Sequence, residues 1–534
     1  MLPLEELTVG ALLQRTCAKF GSRPAVWYQG EFWTWERLER QTRQYETVFA
    51  AQGIHKGDHV GIWAEAEPKM LAAYYALQSI GAVTVMLNTS LTCEELQERI
   101  RIADVEYLCI GRSYKSKMSL ATVCSGDAVF SGLKKVFAVG ESRTAEFPSL
   151  DEMSREEAEP WMDTVRRMEA AVQPQDTAAI LFTSGSTSFP KAVMSSHYSR
   201  VNNGIQQAFD LHADEQDIFC VAMPMFHCFC ISVNAMACLA TGACLCLPKD
   251  RHTASILDAI EQVGCTVLNS VPTMYLTLIA NPAFASRRVA TLRIGIIGGA
   301  MYRPEQFVAI EKALGMTLMS SLGQTECSAG LTVCNMDDSL ERRSHTVGHF
   351  MNYVEGKIAD PETGAALPAG KCGEICVRGY LVMQGYYGQP ELTAKTLDAE
   401  GWLHTGDLGM LDENGDITLH GRIKDLVIRG GENISPAEVE QTLGELPEIR
   451  ECKVVGVPDE HYGEELCACI CLKSGSSLPA ERVRAQLAKR LAYYKIPRYL
   501  LYWGELPHTD TGKVDKRAVE QRARVELGMA QKNC

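Results

Sequence analysis

Apolar and polar residues alternate along the first fifth of the chain in blocks that predict strands followed by helices. Apolar runs typical of buried strands occur at residues 58–63, 83–87 and 105–110. Helical periodicity occurs at residues 35–52 and 68–80. Gly53 and Gly81 follow these two helices where a left-handed turn can end them, and Thr92 and Glu95 have the spacing of a capping box. This order of elements predicts an α/β fold with a parallel sheet.

The pattern changes in the last third of the chain. After residue 373, short strands separated by turns predict a small β subdomain; the turns lie at Gly370, Gly379, Asp412 and Gly415. Beyond residue 421, a mixture of strands and helices predicts an α+β unit. Within it, Ser435, Pro436 and Glu438 predict an N-cap, a first-turn proline and a capping glutamate, and residues 480–492 predict a further helix. Residues 112–175 have weak patterns and predict no particular element.

The most distinctive stretch lies at residues 182–197, FTSGSTSFPKAVMSSH, directly after an apolar run that predicts a buried strand. Small hydroxyl residues around a glycine let backbone N–H groups approach an anion, and a following lysine adds a positive charge. The residues of this kind are Thr183, Ser184, Gly185, Ser186, Thr187 and Lys191. Pro190 and Ala192 stand where the loop of P-loop NTPases needs glycine and a hydroxyl residue, so a different phosphate-binding loop is predicted. A Ser/Thr-rich surface turn is the alternative from this stretch alone.

Four further motifs follow in order: SLGQTE at 321–326, GWLHTGD at 401–407, GRIKDLVIRGGENI at 421–434 and TGK at 511–513. In order and approximate spacing they resemble the adenylate-forming superfamily, over about residues 7–516. The segments GEICVRGYLVMQGYYGQPELTA and VIRGGENISPAEVE narrow the resemblance to AMP-forming fatty acyl-CoA synthetases. This implies a large AMP-binding domain, residues 1–421, made of α/β sheets with a small β subdomain. A mobile α+β domain, residues 422–534, would follow, with its hinge at Lys424.

The resemblance also implies residues that bind MgATP. The phosphate loop would hold the β- and γ-phosphates, Thr325 would lie near the α-phosphate, and Glu326 would hold Mg²⁺. Asp407 would accept the ribose hydroxyls with help from Arg422. Residues implied around the adenine and the acyl group are Gly298, Gly299, Ala300, Ser321, Leu322 and Gly323. Leu322 departs from the family, which commonly has an aromatic residue there beside the adenine.

Three implied roles concern the acyl group and coenzyme A. His227 in the motif Pro224-Met225-Phe226-His227 would border the acyl pocket, with a simple core histidine as the alternative. Lys513 matches the mobile catalytic lysine. Gly430 and Gly431 would line the passage of the CoA arm, where a side chain would obstruct it.

The implied reaction has two steps. A carboxylate attacks MgATP to give acyl-AMP and pyrophosphate, and the CoA thiol then forms acyl-CoA and releases AMP. The expected acid is a fatty acid of medium to long chain; an aryl-CoA ligase, and a catalytically weak nucleotide or acyl-CoA binding regulator, are the alternatives. An amino-acid substrate is disfavoured because residues 226–231 lack an aspartate. Ser188, Ala192 and Cys230 replace glycines common in the family, which lowers the expected turnover more than it changes the reaction.

The amino-acid composition limits which binding partners and which cellular location are expected. The 534 residues carry a formal net charge of −14, which argues against nucleic acid and anionic membrane surfaces. The 20 cysteines, with no apolar leader at the start, predict reduced thiols and a cytoplasmic protein. Cysteines spaced by two at 228/230, 244/246 and 467/469/471 predict buried strand positions in preference to zinc ligands. The uncharged stretch 218–248 is interrupted by proline and glycine, which argues against a membrane span. Peripheral membrane contact and a homodimer are left open.

Overall fold

The first of two large sheets has seven strands. A computed structural model describes residues 2–111, 132–140, 147–154, 159–183, 190–429, 432–459, 462–491, 493–509 and 512–529. The strand order is Thr317–Ser321, Ile294–Gly298, Val267–Leu268, Ile218–Cys220, Cys244–Leu247, Pro24–Tyr28 and Glu31–Thr34. Neighbours are parallel except the last two strands, which form a hairpin.

The second large sheet also has seven strands and carries the predicted phosphate loop. Its order is Gly385–Tyr386, Lys191–Ser196, Thr177–Thr183, Val83–Met86, His59–Trp63, Tyr107–Ile110 and Lys135–Ala138. The second strand is antiparallel to the first and to the third, and the other neighbours are parallel. The α/β fold with a parallel sheet is therefore confirmed, although the loop joins two antiparallel strands.

The predicted small β subdomain is an antiparallel sheet of four strands in chain order: Val354–Ala359, Cys372–Gly379, Leu403–Leu411 and Ile417–Arg422. A separate C-terminal sheet has the order Glu432–Ile434, Val427–Arg429, Gly463–Leu472 and Ile449–Asp459, with Tyr499–Trp503 beside Gly463–Leu472. Two strand pairs are Gly323–Gln324 with Ala329–Gly330 and Thr332–Val333 with His349–Phe350. The predicted boundary at 421/422 falls where the small sheet ends and stays a prediction.

Helices cover the sheets and fill the space between the two large ones. The α-helices among the described residues are Val9–Phe20, Trp35–Ala51, Pro68–Ser79, Cys93–Ile102, Leu150–Met153, Met162–Ala171, His197–Asp210, Met236–Thr241, Thr253–Val263, Pro272–Ile279, Pro304–Leu314, Leu340–His345, Pro390–Thr396, Pro436–Gly444, Ala480–Leu487 and Lys516–Glu526. Phe229–Ala235 is a π-helix, a rare conformation that is frequent at functional sites. The largest core joins apolar side chains of the first helices to those of both large sheets. Because these sheets are covered, their strands read as continuous apolar runs.

Several local predictions can be judged directly. The capping box of Thr92 and Glu95 is formed, but the one predicted at Ser435 is wrong. The Ser435 hydroxyl instead donates a 2.6 Å hydrogen bond to the carbonyl of His420, which ties the C-terminal unit to the small sheet. The helix expected at 480–492 ends at Leu487, and the helix Met162–Ala171 had no prediction.

The cysteines spaced by two are buried as predicted, but Cys228 and Cys230 lie at the start of the π-helix and not on a strand. The seven cysteines spaced by two are all buried, and none of the cysteines in the described ranges forms a disulfide. The uncharged stretch contains two strands, a loop, the π-helix and a short helix. Among the residues that the structure covers, no helix is both long and apolar enough to cross a bilayer.

Candidate active site

The two ends of the phosphate loop lie side by side at one edge of the second large sheet. Ser184, Gly185, Ser186 and Thr187 fall outside the described residues. Thr183 ends one strand and Lys191 begins the next, and the two residues are antiparallel partners. The Lys191 ammonium lies 4.8 Å from the centre of the Tyr386 ring, a cation–π distance. The base of the loop therefore places the positive charge of Lys191 beside Tyr386.

Glu326 contacts the same tyrosine as Lys191. Its Oε1 accepts a 2.9 Å hydrogen bond from the Tyr386 hydroxyl, and the Met383 N–H donates to its backbone carbonyl over 2.9 Å. Oε2 accepts no hydrogen bond from the described part of the chain. An oriented carboxylate with one oxygen left for coordination suits a hard divalent cation beside phosphate, so Glu326 fits the implied Mg²⁺.

His227 lies at the other side of Thr325. The Thr325 hydroxyl is 3.5 Å from the Cys228 sulfur, and the Phe229 N–H donates over 3.2 Å to Nδ1 of His227. Burial lowers the pKa of His227 to about 3, and the nearby Lys513 charge lowers it further. The imidazole is therefore neutral at physiological pH, with its proton on Nε2. This arrangement suits a polar wall of a pocket better than an acid or base.

Lys513 reaches this region from the C-terminal unit. Its Nζ is 3.8 Å from the position that a β-carbon on Gly299 would occupy, and a β-carbon on Gly512 would be 3.3 Å from the Thr273 hydroxyl. Burial lowers the pKa of the Lys513 ammonium, and the Arg422 charge acts in the same direction. Gly299 has a φ of +78°, a conformation that favours glycine. The turn that carries Lys513 thus touches the strand end predicted to line the site.

The buried Asp407 forms an ion pair with the exposed Arg422 on the neighbouring strand of the small sheet. Arg422 Nε is 2.6 Å from Asp407 Oδ1, and Gln324 Nε2 donates to Oδ2 over 3.4 Å. Burial raises the pKa of the Asp407 carboxyl, whereas the Arg422 charge opposes the rise. A buried carboxylate of this kind can accept hydroxyl donors.

Lys424, the predicted hinge residue, lies close to the charged groups of Arg422, Asp407 and Lys191. Burial lowers its pKa, and the positive charges of Arg422 and Lys191 lower it further, whereas Asp407 favours its charged form. The next residue, Asp425, accepts a 2.8 Å bond from Lys516 of the last helix. Gly430 and Gly431 lie outside the described residues.

Of the residues implied near the adenine, two are glycine for reasons of backbone packing. A β-carbon on Gly298 would be 2.7 Å from the Ser321 carbonyl, and one on Gly323 only 1.8 Å from the Ala329 carbonyl. The Ser321 hydroxyl donates to the Thr332 carbonyl over 2.7 Å, and Leu322 packs against the core of the small sheet. Ala300 follows Gly299 at the same turn. These residues lie at the ends of two neighbouring parallel strands, and Gly299 among them lies beside Lys513.

Sequence reasoning missed three contacts that shape this site. The sequence motifs predict no role for Tyr386, Cys228 or Gln324, yet these residues contact Glu326, Thr325 and Asp407 respectively. Tyr386 lies 60 residues from its partner Glu326, so no local pattern could pair them. A tyrosine inside a motif segment was the one available signal.

Comparison with known proteins shows the family of the chain. The AMP-binding enzyme family matches residues 13–387, and the AMP-binding enzyme C-terminal domain matches residues 438–513. YngI of Bacillus subtilis (strain 168) is 34% identical over 541 residues, covering 98% of each chain. The mitochondrial medium-chain acyl-CoA ligase ACSF2 of Danio rerio is 31% identical over 549 residues, 99% of this chain and 90% of that one. ATP-bound MatB from Rhodopseudomonas palustris superposes with a TM-score of 0.85 at 27% identity, covering 98% and 100%.

The chain therefore belongs to the AMP-binding enzyme family, within the adenylate-forming superfamily. It is an AMP-forming acyl-CoA ligase, with a carboxylic acid, ATP and CoA as its small-molecule substrates.

Proposed function

We propose that the carboxylic acid is a fatty acid of medium to long chain. The supporting observation is the stretch around His227, because residues 218–248 contain no charged side chain. The π-helix in this stretch is buried, and its Asn234 side chain accepts a 2.8 Å hydrogen bond from Asn269. An alkyl tail needs such an uncharged surface, whereas a second carboxylate on the substrate would need a cation. The similarity to a medium-chain acyl-CoA ligase agrees with this choice.

In the first step, the substrate carboxylate attacks the α-phosphorus of ATP and pyrophosphate leaves. Lys513 would bridge the carboxylate and the α-phosphate as negative charge develops between them, while Thr325 would donate to the same phosphate. The phosphate loop with Lys191 would hold the β- and γ-phosphates, and Asp407 would hold the ribose. Glu326 would hold Mg²⁺, which when bound neutralises phosphate charge. No side chain acts as nucleophile, so positioning supplies the rate enhancement.

In the second step, the CoA thiol gives its proton to solvent and attacks the acyl carbonyl, so that AMP leaves. The domain of residues 422–534 would rotate about Lys424, withdraw Lys513 and bring Gly430 and Gly431 to the CoA arm. Two of the contacts to be broken are hydrogen bonds. One is the bond from Ser435 to His420, and another is donated by the Arg303 guanidinium to the Gly444 carbonyl.

Replacing Tyr386 by phenylalanine is expected to raise the Mg²⁺ concentration for half-maximal pyrophosphate release about tenfold, because the Glu326 carboxylate loses the hydroxyl that orients it. The measurement is a Mg²⁺ titration at saturating ATP and acid. Tyr387→Phe is the matched control, since its hydroxyl bonds to Asp104 away from the site. An unchanged Mg²⁺ requirement in Tyr386→Phe would remove Glu326 from metal binding.

The substrate proposal is tested by pyrophosphate and AMP release from MgATP over a series of saturated fatty acids and aryl acids, each with and without CoA. We expect the highest kcat/KM with medium- to long-chain fatty acids and AMP release that requires CoA. A preference for aryl acids would agree with the proposed reaction but would contradict the proposed fatty-acid substrate. No release of pyrophosphate or AMP with any acid, while ATP still binds, would favour a regulatory binding protein.

Other expectations from the sequence remain predictions. We keep the hinge at Lys424, the domain boundary at 421/422 and a cytoplasmic location in this proposal. A homodimer and peripheral membrane contact stay open, and chromatography coupled to light scattering would measure the first.

A further inference from the structure

Three potential metal ligands meet on the small sheet, away from the phosphate loop. Cys376 and His404 are direct partners across the two central strands, and Glu374 precedes Cys376 by two residues. Their ligand atoms all lie within 4.8 Å of one another. A thiol, an imidazole and a carboxylate form a donor set that favours zinc over magnesium or calcium.

The distances match what a cation would need. The Cys376 sulfur is 3.6 Å from Nδ1 of His404, and Oε2 of Glu374 is 2.8 Å from the same nitrogen. Zinc bonds of about 2.0 to 2.3 Å in a tetrahedron place ligand atoms roughly 3.2 to 3.8 Å apart. The thiol–imidazole pair already has this separation, and the imidazole–carboxylate pair would need to open by about half an ångström.

The surroundings favour binding. Cys376 and Glu374 are buried, whereas His404 is partly exposed, so water can complete the coordination. On the far side of the ring, Asp398 Oδ2 is 3.8 Å from Nε2 of His404, where a carboxylate commonly orients a metal-bound histidine. The neighbouring cation, Lys357, is directed elsewhere: its ammonium lies 4.5 Å from the Trp402 ring centre and 3.3 Å from the Gly364 carbonyl.

The cluster also supports the strand that leads to Asp407. Oε1 of Glu374 accepts a 2.9 Å hydrogen bond from the Gly406 N–H, which leaves Oε2 for the cation. The Thr405 hydroxyl donates to the Ile375 carbonyl over 2.6 Å. A cation held at this place would cross-link the two central strands directly behind the predicted ribose site.

We propose that Glu374, Cys376 and His404 bind one thiophilic divalent cation, Zn²⁺, and that this cation stabilises the small sheet. On binding, the Cys376 thiol releases its proton to solvent and the thiolate sulfur bonds to the metal. Stabilisation follows from mass action, because the unfolded chain does not bring the three ligands together. The site is independent of the acyl substrate.

The test is a titration of the chelator-treated full chain with Co²⁺, followed by displacement with Zn²⁺. We expect a thiolate-to-cobalt charge-transfer band that saturates at one equivalent, and a melting temperature that Zn²⁺ raises. Cys376→Ser should lose the band and the thermal shift, and His404→Gln should weaken Co²⁺ binding at least tenfold. Cys372→Ser is the matched control, because Cys372 is exposed on the same strand.

Two results would overturn the proposal. One is the absence of a charge-transfer band in the unsubstituted protein. The other is an equal band in folded Cys376→Ser, which would assign the cobalt to different thiols. Circular dichroism of each variant separates loss of the site from loss of the fold, and His404→Gln leaves the buried thiol in place if Cys376→Ser fails to fold.

Discussion

Replacing Lys513 by alanine is expected to lower the rate of acyl-AMP formation by about 10³-fold, while thioester formation from supplied acyl-AMP stays within a factor of a few. The lysine ammonium lies beside Gly299 in this structure. It is also close enough to Cys228 and His227 to interact with them electrostatically. A single positioned donor at developing negative charge contributes 10²- to 10³-fold to a rate, and a buried ammonium acts in a less polar medium than water. The two half-reactions are measured separately, as pyrophosphate release and as CoA consumption.

The control for this variant is Lys489→Ala, which removes an exposed lysine of the same C-terminal unit. It should leave both half-reactions unchanged. Equal loss of both half-reactions in Lys513→Ala would contradict the alternation of domains, since the lysine would then be needed in a single fixed arrangement. A melting temperature close to that of the unsubstituted protein shows that the loss is chemical.

The sequence predicted the strands that are buried on both faces and the motifs at their ends. Residues 58–63 and 83–87 could be assigned because a covered parallel strand is mostly apolar, whichever helices cover it. Asp407 and Arg422 could be named from motifs 15 positions apart, and the structure pairs them across one hairpin. Because the two residues are close in sequence, a hairpin between their strands is enough to bring them together.

The remaining contacts depend on tertiary packing. The Ser435 hydroxyl has the spacing of an N-cap, yet it bonds to His420 because the helix start lies against the small sheet. Lys513 and Gly299 are far apart in sequence and meet through tertiary packing, and the Tyr386 hydroxyl reaches Glu326 through the edge pairing of two strands. Neither proximity is encoded in local periodicity. The metal ligands Cys376 and His404 meet by strand register for the same reason.

Replacing Asp407 by asparagine is expected to weaken ATP binding about 10²-fold and to leave the response to acid chain length unchanged. The carboxylate is almost completely buried, and Arg422 and Gln324 fix its orientation. Asparagine keeps the shape but removes the charge, so the ribose hydroxyls lose charge-assisted acceptors worth about 1.5 to 3 kcal/mol each. Calorimetry with a non-hydrolysable ATP analogue measures the affinity, and Glu413→Gln, at an exposed turn of the same hairpin, is the control. Because Lys513→Ala should retain ATP affinity, the two variants separate nucleotide binding from catalysis. Unchanged affinity in Asp407→Asn would place the ribose elsewhere.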